Sequence, residues 1–301
     1  MKRIYLSTSD NPQFESHAPV EGEPPAKFEG DSSPLGLKTD GSAPAELALP
    51  KSKENPVWNG WDVLAVVGLA LGTILVSQFA ILLAAHKLLY PHAKLEDLPT
   101  LHPIVLLISQ FVIDAAVVAY MVLLVEGKYH QSFWRAIRWN RQKSIWAMLA
   151  LGAATFIVLE MVGSLLPMPK STPFDNLFQN RRDAFLLAII ATTLGPLMEE
   201  LFFRGFFYPV VAKRWGAGWG IVLSALPFAL MHMQQYGYAW GILLVIFGVG
   251  VVCGIVRAYT GSVAASFLVH AGYNGAQMLI AISLTRGFTR VPKGVLEYFS
   301  G

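Results

Sequence analysis

The sequence predicts an all-α membrane protein: a polytopic bundle of about seven or eight transmembrane helices with one further helix lying at the membrane interface. Its 301 residues are 54% apolar and only 14% charged, and their mean hydropathy is +0.47. Soluble domains carry roughly 45–50% apolar and about 25% charged residues, so this chain has too few charges to cover a water-exposed surface. Its apolar segments are too long for the strands of a membrane β-barrel. The backbone N–H and C=O groups of a segment in lipid must then form their hydrogen bonds within a helix.

The composition also argues against several classes of function for the main body. A soluble enzyme, a nucleic-acid-binding protein and a disordered scaffold all need more polar surface than this chain offers. The formal net charge of +3 is too small to indicate a polyanion, so no nucleic-acid partner is expected. Cys253 is the single cysteine, which excludes an intrachain disulfide and a cysteine-based zinc site.

Residues 1–56 are interpreted as a disordered tail, with a docking role as the alternative. They hold 15 of the 43 charged residues and 8 of the 18 prolines, and have little apolar surface to offset the entropy of ordering. The tail lacks the basic start and short apolar core of a signal peptide, so the first apolar segment is expected to stay attached.

Seven apolar segments are predicted spans, judged against the about 20 residues that cross the hydrocarbon core. They are 63–85, 103–125, 145–166, 184–211, 219–233, 240–259 and 262–284. The long fourth segment gives an eighth span if it is two pieces. Basic residues between 126 and 144 and at the end of the tail predict a cytoplasmic N-terminus. The alternating aromatic and basic residues at 131–140 predict the interfacial helix.

Ionisable side chains inside the spans carry the functional signal, because each costs about 2.5–3.5 kcal/mol at a helix centre. Arg204 lies one helical turn after Glu200, so these two are expected to pair on one face. Glu199 is rotated by about 100° and has no partner within its helix, which makes it a candidate general base. Gly195-Pro196 is expected to kink or loosen this helix and admit water. A purely structural ion pair is the alternative.

Two other spans contribute His232, His270 and Asn274. Phe228 lies one turn before His232 and is expected to pack beneath its ring, and His270 and Asn274 are one turn apart on the last span. Taken singly, such residues are typical of hydrogen bonds inside a helical bundle. Taken together with the two glutamates, they form a set that can activate water and stabilise an oxyanion.

These motifs resemble those of the CPBP family of intramembrane proteases, named for CAAX proteases and bacteriocin processing and also called the Abi family. The family pattern is Glu-Glu-x-x-x-Arg, then Phe-x-x-x-His, then His-x-x-x-Asn or Asp, on separate spans. This chain matches it with Glu199-Glu200…Arg204, Phe228…His232 and His270…Asn274. The resemblance makes 183–284 the catalytic core, after N-terminal helices with the interfacial segment at 57–182 and before a C-terminal tail at 285–301.

The resemblance implies an intramembrane endopeptidase, a metalloendopeptidase by family description, that hydrolyses membrane-associated peptides or proteins of a CAAX or bacteriocin-related type. Its partners are then membrane lipid and a peptide or membrane-protein substrate, in a membrane such as the bacterial cytoplasmic membrane. The implied roles are water activation by Glu199 with His232, oxyanion binding by His270 with Asn274, and charge neutralisation by Glu200 with Arg204.

The cofactor is either none or a divalent metal such as zinc. Glu199, His232 and His270 would be the ligands of that metal. If these three residues bind a metal, Glu200 is the remaining candidate for the general base. Glu200 is expected to be paired with Arg204, so a metal-free, glutamate-dependent mechanism is favoured.

Two other function classes remain as alternatives. A bacteriocin-immunity or scaffold protein without catalysis would use the same polar cavity to hold a partner. A proton-coupled transporter is indicated by Asp114, Glu160 and the intramembrane histidines, but the sequence lacks the two repeated halves typical of such carriers. We interpret Asp114 and Glu160 as bridges between helices, with a substrate groove as the alternative.

Overall fold

A computed structural model describes residues 54–95, 98, 103–178 and 180–289, and all regular structure within these ranges is helical. The α-helices are α1 (Gly60–Leu88), α2 (Pro103–Leu123), α3 (Phe133–Ala136), α4 (Ile145–Gly163), α5 (Arg181–Thr192), α6 (Leu194–Glu200), α7 (Tyr208–Trp215), α8 (Ala217–Leu230), α9 (Trp240–Thr260) and α10 (Val263–Leu284). Two π-helical segments, Leu124–Lys128 and Leu201–Phe207, and a 3-10 helix, Pro173–Phe178, complete the regular structure of these ranges.

The predicted polytopic helical bundle is confirmed. Within the described ranges, six helical stretches are long and apolar enough to cross a membrane: Gly60–Leu88, Leu107–Lys128, Ile145–Gly163, Arg181–Trp215, Trp240–Thr260 and Val263–Leu284. Helix α8 is apolar but only 14 residues long, so the segment predicted as the fifth span forms a shorter helix. The chain is therefore an integral, multi-pass membrane protein, whereas the cytoplasmic location of its N-terminus stays a prediction.

The fourth apolar stretch contains two departures from regular α-helix. Thr193 has φ −126° and ψ −77°, which ends α5, and α6 begins at the next residue. This break lies just before Gly195-Pro196, where the sequence predicted a loosened helix. Beyond Glu200 the chain continues as the π-helical segment Leu201–Phe207, at whose end the Tyr208 N–H binds the Phe203 carbonyl. The sequence analysis did not foresee this second feature.

Helices α4 and α10 approach each other so closely that only glycine fits at their crossing. A Cβ atom added to Gly152 would lie 2.1 Å from the Val269 carbonyl oxygen, and one added to Gly272 would lie 2.4 Å from that of Leu149. Both contacts are with backbone, which a side-chain rearrangement cannot relieve. This glycine seam fixes α10, and with it His270 and Asn274, against α4.

The segment predicted as an interfacial helix forms only one turn of α-helix, α3. Phe133 and Ile137 are fully buried in the protein, whereas Trp134 is half-exposed. Part of this segment therefore packs into the bundle, and its location in the headgroup layer stays a prediction. The predicted tails at 1–56 and 285–301 fall largely outside the described residues, although Glu54 and Pro56 are described and packed against the body.

Candidate active site

Glu199 lies between two histidines that come from different segments of the chain. Its Oε1 atom is 3.7 Å from Nε2 of His232, and its Oε2 atom is 3.7 Å from Nε2 of His270. Glu199 is at the end of α6, His232 is in the turn that follows α8, and His270 is on α10. The fold thus brings together three of the predicted residues that lie on separate segments of the sequence.

Hydrogen bonds determine which ring nitrogen of each histidine faces Glu199. Nδ1 of His232 lies 2.8 Å from the Phe228 carbonyl oxygen, and Nδ1 of His270 lies 3.1 Å from Oε1 of Glu200. A carbonyl or carboxylate oxygen only accepts, so each Nδ1 carries the proton. In the neutral rings both Nε2 atoms are then acceptors directed at Glu199. Such a set of acceptors suits a water molecule, which donates two hydrogens, or a cation.

Glu200 and Arg204 form the predicted pair one helical turn apart. Nη1 of Arg204 donates to Oε1 of Glu200 at 2.8 Å, and both side chains are completely buried. Nη2 of Arg204 donates to the Gly250 carbonyl at 2.7 Å, and its guanidinium carbon lies 4.7 Å from the centre of the Phe228 ring. Because Glu200 also accepts from His270, this pair orients the imidazole and is not available as a free base.

Phe228 is the apolar centre of the arrangement. Its ring lies 5.2 Å from the His232 ring, as the one-turn spacing predicted, and 5.5 Å from the His270 ring. The contacts with His270 and Arg204 were not predicted, because they join different helices. Gly250 was also missed, although the glycine-rich face of α9 was an available signal of a close helix approach.

Asn274 faces the same cavity but makes its hydrogen bond elsewhere. Its Nδ2 atom donates to the Ala191 carbonyl at 2.7 Å, near the end of α5. An amide has two N–H donors, so this bond leaves the second hydrogen for a ligand. The described residues thus place Asn274 beside the site, tied to the helix that precedes Glu199.

A cavity of about 760 Å³ connects these side chains. Glu199, His232, His270 and Asn274 lie in its wall, together with Asp114 and Glu160. Asp114 accepts a hydrogen bond at 2.8 Å from Gln110, one turn earlier on its own helix, so this bond does not bridge two helices. The position of both carboxylates in the cavity wall agrees with the alternative interpretation, a groove for substrate.

The chemistry of Glu199, His232 and His270 also fits a divalent metal. Two imidazoles with free Nε2 lone pairs and a carboxylate are a usual donor set for zinc, and ligating histidines often donate Nδ1–H to a carboxylate or carbonyl. A second group has ligand atoms within 4.8 Å of one another, namely Glu200, Cys253 and His270. The positive charge of Arg204 already neutralises Glu200, and this disfavours a cation in that second group.

Comparisons with known proteins concern the segment that holds all three motifs. The family model described as Type II CAAX prenyl endopeptidase Rce1-like matches residues 181–276. The UPF0177 protein YbdI of Lactococcus lactis subsp. lactis (strain IL1403) is 26% identical over 121 residues, which cover 40% of this chain and 63% of that protein. No solved structure matches the chain. The resemblance drawn from the motifs is confirmed: residues 181–276, which hold all three motifs, match the Rce1-like family model.

Proposed function

We propose that this protein is an intramembrane endopeptidase that hydrolyses membrane-associated, CAAX-type substrates with a water molecule activated by Glu199 and His232. The observation that carries the proposal is the position of Glu199, 3.7 Å from Nε2 of both His232 and His270, in the wall of a cavity within a transmembrane bundle. The match to a family described as CAAX prenyl endopeptidases supports the reaction and the substrate class.

In this proposal the attacking water lies between Glu199 and His232. It donates one hydrogen to the carboxylate and the other to Nε2 of His232, which is an acceptor because Nδ1 donates to the Phe228 carbonyl. Glu199 removes a proton as the water oxygen attacks the scissile carbonyl carbon, and a tetrahedral intermediate forms. The same proton then passes to the leaving nitrogen as the C–N bond breaks. The hydrogen that stays on the attacking oxygen is lost when the new carboxylic acid ionises, so the products are a carboxylate and a protonated amine.

Asn274 and His270 would stabilise the oxyanion of that intermediate. Asn274 offers the amide hydrogen that the Ala191 carbonyl does not use. In its imidazolium form His270 would donate from Nε2 to the oxyanion while Nδ1 donates to Glu200. The loss of one such donor costs roughly 10²–10³ in rate. Arg204 holds Glu200 in place for this role.

A divalent metal held by Glu199, His232 and His270 is the alternative form of the same site. When bound, it would supply a Lewis acid and lower the pKa of a bound water. Glu199 would then be a ligand, and Glu200, the carboxylate next to it in the chain, is bound by Arg204 and His270 and is not free to act as base. We therefore favour the glutamate-dependent form.

The test uses the full chain, purified in detergent, and two fluorogenic peptides. One ends in a farnesylated cysteine followed by three residues, and the other has the same sequence without the prenyl group. Glu199→Gln and His232→Gln are each expected to reduce turnover by about 10²–10⁴-fold, the usual contribution of a positioned base. The control is Glu126→Gln, an exposed carboxylate that accepts from the Phe133 N–H and lies outside the cavity.

The variants separate the proposal from its competitors. Loss of turnover in both site variants, with an unchanged melting temperature and an active control, supports hydrolysis at Glu199. Turnover retained in Glu199→Gln contradicts the assigned role. Cleavage of neither peptide by the wild-type protein contradicts the CAAX-type class and favours a binding protein that uses the same cavity.

A further inference from the structure

We propose that residues 54–58, the N-terminal strap, position the active site through the π-helical segment Leu201–Phe207. The proposal rests on the endopeptidase function above. The positioning residues are Glu54, Trp58 and Arg257. They do not line the cavity that contains Glu199. They act on the backbone that connects Glu200 to Arg204 and to the helix beyond.

One carbonyl of the π-helical segment, that of Arg204, lacks its regular backbone donor. In a π-helix each N–H binds the carbonyl five residues earlier, and the Tyr208 N–H accordingly binds the Phe203 carbonyl. The next donor in this pattern would be residue 209, which would bind the Arg204 carbonyl. That residue is Pro209, which has no N–H. The Arg204 carbonyl is therefore deprived of its donor within the segment.

Arg257 supplies the missing donor from α9. Its Nε atom donates to the Arg204 carbonyl at 3.2 Å, and its side chain is completely buried. A buried guanidinium needs a counter-charge, and the strap provides it. Nη1 of Arg257 binds Oε1 of Glu54 at 2.7 Å, and Nη2 binds Oε2 at 3.1 Å. This two-point pairing fixes both the position and the plane of the guanidinium.

Trp58 contacts the other end of the same segment. Its Nε1 atom donates to the Phe206 carbonyl at 2.8 Å, and its ring stacks on the Phe206 ring with a centroid distance of 4.8 Å and an interplanar angle of 4°. Trp58 is only 2% exposed. The strap thus contacts the π-helical segment directly at Phe206 and through Arg257 at Arg204.

These contacts continue into the site. The position of the Arg204 backbone determines where its guanidinium lies. The guanidinium donates to Glu200, and Glu200 accepts from Nδ1 of His270. A displaced Arg204 backbone would move the guanidinium and leave the His270 ring less constrained. Because these groups act on the oxyanion and not on substrate binding, the strap is expected to change kcat with little effect on KM.

The experiment compares Glu54→Gln and Trp58→Phe with a matched control. Trp58→Phe retains an aromatic ring over Phe206 but removes the N–H donor, and it introduces no buried charge. Asp62→Asn is the control, because it removes a carboxylate near the start of α1 that pairs with the largely exposed Lys128 at 2.6 Å and has no hydrogen bond to Leu201–Phe207. For each variant we would measure kcat and KM on the farnesylated peptide, and amide hydrogen exchange across the chain.

Both strap variants are expected to lower kcat by about 10- to 100-fold at nearly constant KM, the size expected of a slightly misplaced group. Amides from 201 to 208 are expected to exchange faster, and Glu54→Asp, which keeps the charge, is expected to recover part of the loss. Wild-type kcat and exchange in both variants would overturn the proposal, as would a uniform rise in exchange throughout the bundle.

The strap variants and Glu199→Gln have separate outcomes for the strap and for the endopeptidase function. If Glu199→Gln abolishes turnover while the strap variants behave as wild type, the strap proposal fails and the endopeptidase function stands. If Glu199→Gln keeps full turnover, the endopeptidase function fails, and the exchange measurement still reports whether the strap holds the π-helical segment.

Discussion

His270 donates from Nδ1 to the same oxygen of Glu200 that accepts from Arg204, at 3.1 Å and 2.8 Å respectively. One carboxylate oxygen thus joins a buried positive charge to the imidazole beside Glu199. The consequence is that the stability of the bundle and the orientation of His270 depend on the same three side chains.

Replacing Arg204 with Met is expected to destabilise the protein strongly. It leaves the fully buried Glu200 without its counter-charge, a change that typically costs about 3–5 kcal/mol. Adding Glu200→Gln to the same chain removes the unpaired charge and should recover a large part of the loss. Thermal unfolding of both variants in detergent measures the effect, and a single variant as stable as the double one would contradict this account of the pair.

Asn274→Ala is expected to reduce kcat by roughly 10²–10³-fold, the loss typical of one oxyanion donor. KM should change little, because the amide hydrogen is used in the transition state. The measurement is steady-state hydrolysis of the farnesylated peptide, with Ser283→Ala as a control on the exposed end of the same helix. An Asn274→Ala protein with wild-type kcat would remove this residue from the mechanism.

Treatment with a strong zinc chelator, followed by desalting, is expected to leave turnover unchanged. The reason is that Glu199 acts as the base in the favoured mechanism and is not consumed as a metal ligand. Metal analysis of the protein before and after treatment accompanies the activity measurement. Activity that disappears with the chelator and returns on addition of zinc would establish the metal-dependent alternative.

Gly152→Ala and Gly272→Ala are each expected to lower the free energy of unfolding by about 1–3 kcal/mol, the usual cost of overpacking. In both cases the new methyl group would meet backbone atoms of the facing helix. Gly68→Ala on α1 is the control, because nothing lies within 4 Å of its added methyl group. It should be neutral or stabilising by up to about 1 kcal/mol through helix propensity. Equal effects at all three positions would show that the close approach of α4 and α10 does not require glycine.

Much of the candidate site was predictable, because polar side chains inside membrane spans can find hydrogen-bond or charge partners only in the protein interior or in a water-filled cavity. The four-residue spacing of Glu200 and Arg204 places both on one helical face, and their ion pair has the predicted form. The intramembrane histidines needed polar surroundings, and the predicted meeting of Glu199 with both of them agrees with the fold. The roles of these residues in catalysis remain predictions.

The π-helical segment and its supports were not predictable in the same way. The stretch from Leu201 to Phe207 fits an α-helix equally well by the periodicity of its apolar residues, so the pattern contains no signal for the wider turn. The pair between Glu54 and Arg257 joins residues 203 positions apart, which no local pattern specifies. Arg257 itself did give a signal, since a charged residue inside a predicted span requires a partner.

Proline at position 209 removes a single hydrogen from the backbone, and that hydrogen would otherwise compete with Arg257 for the Arg204 carbonyl. A residue with an N–H at this position could donate to the carbonyl within the same helix, without a donor from α9. The missing local bond thus makes the π-helical segment depend on α9. Through the pair between Arg257 and Glu54, it also depends on a carboxylate 203 positions earlier in the chain.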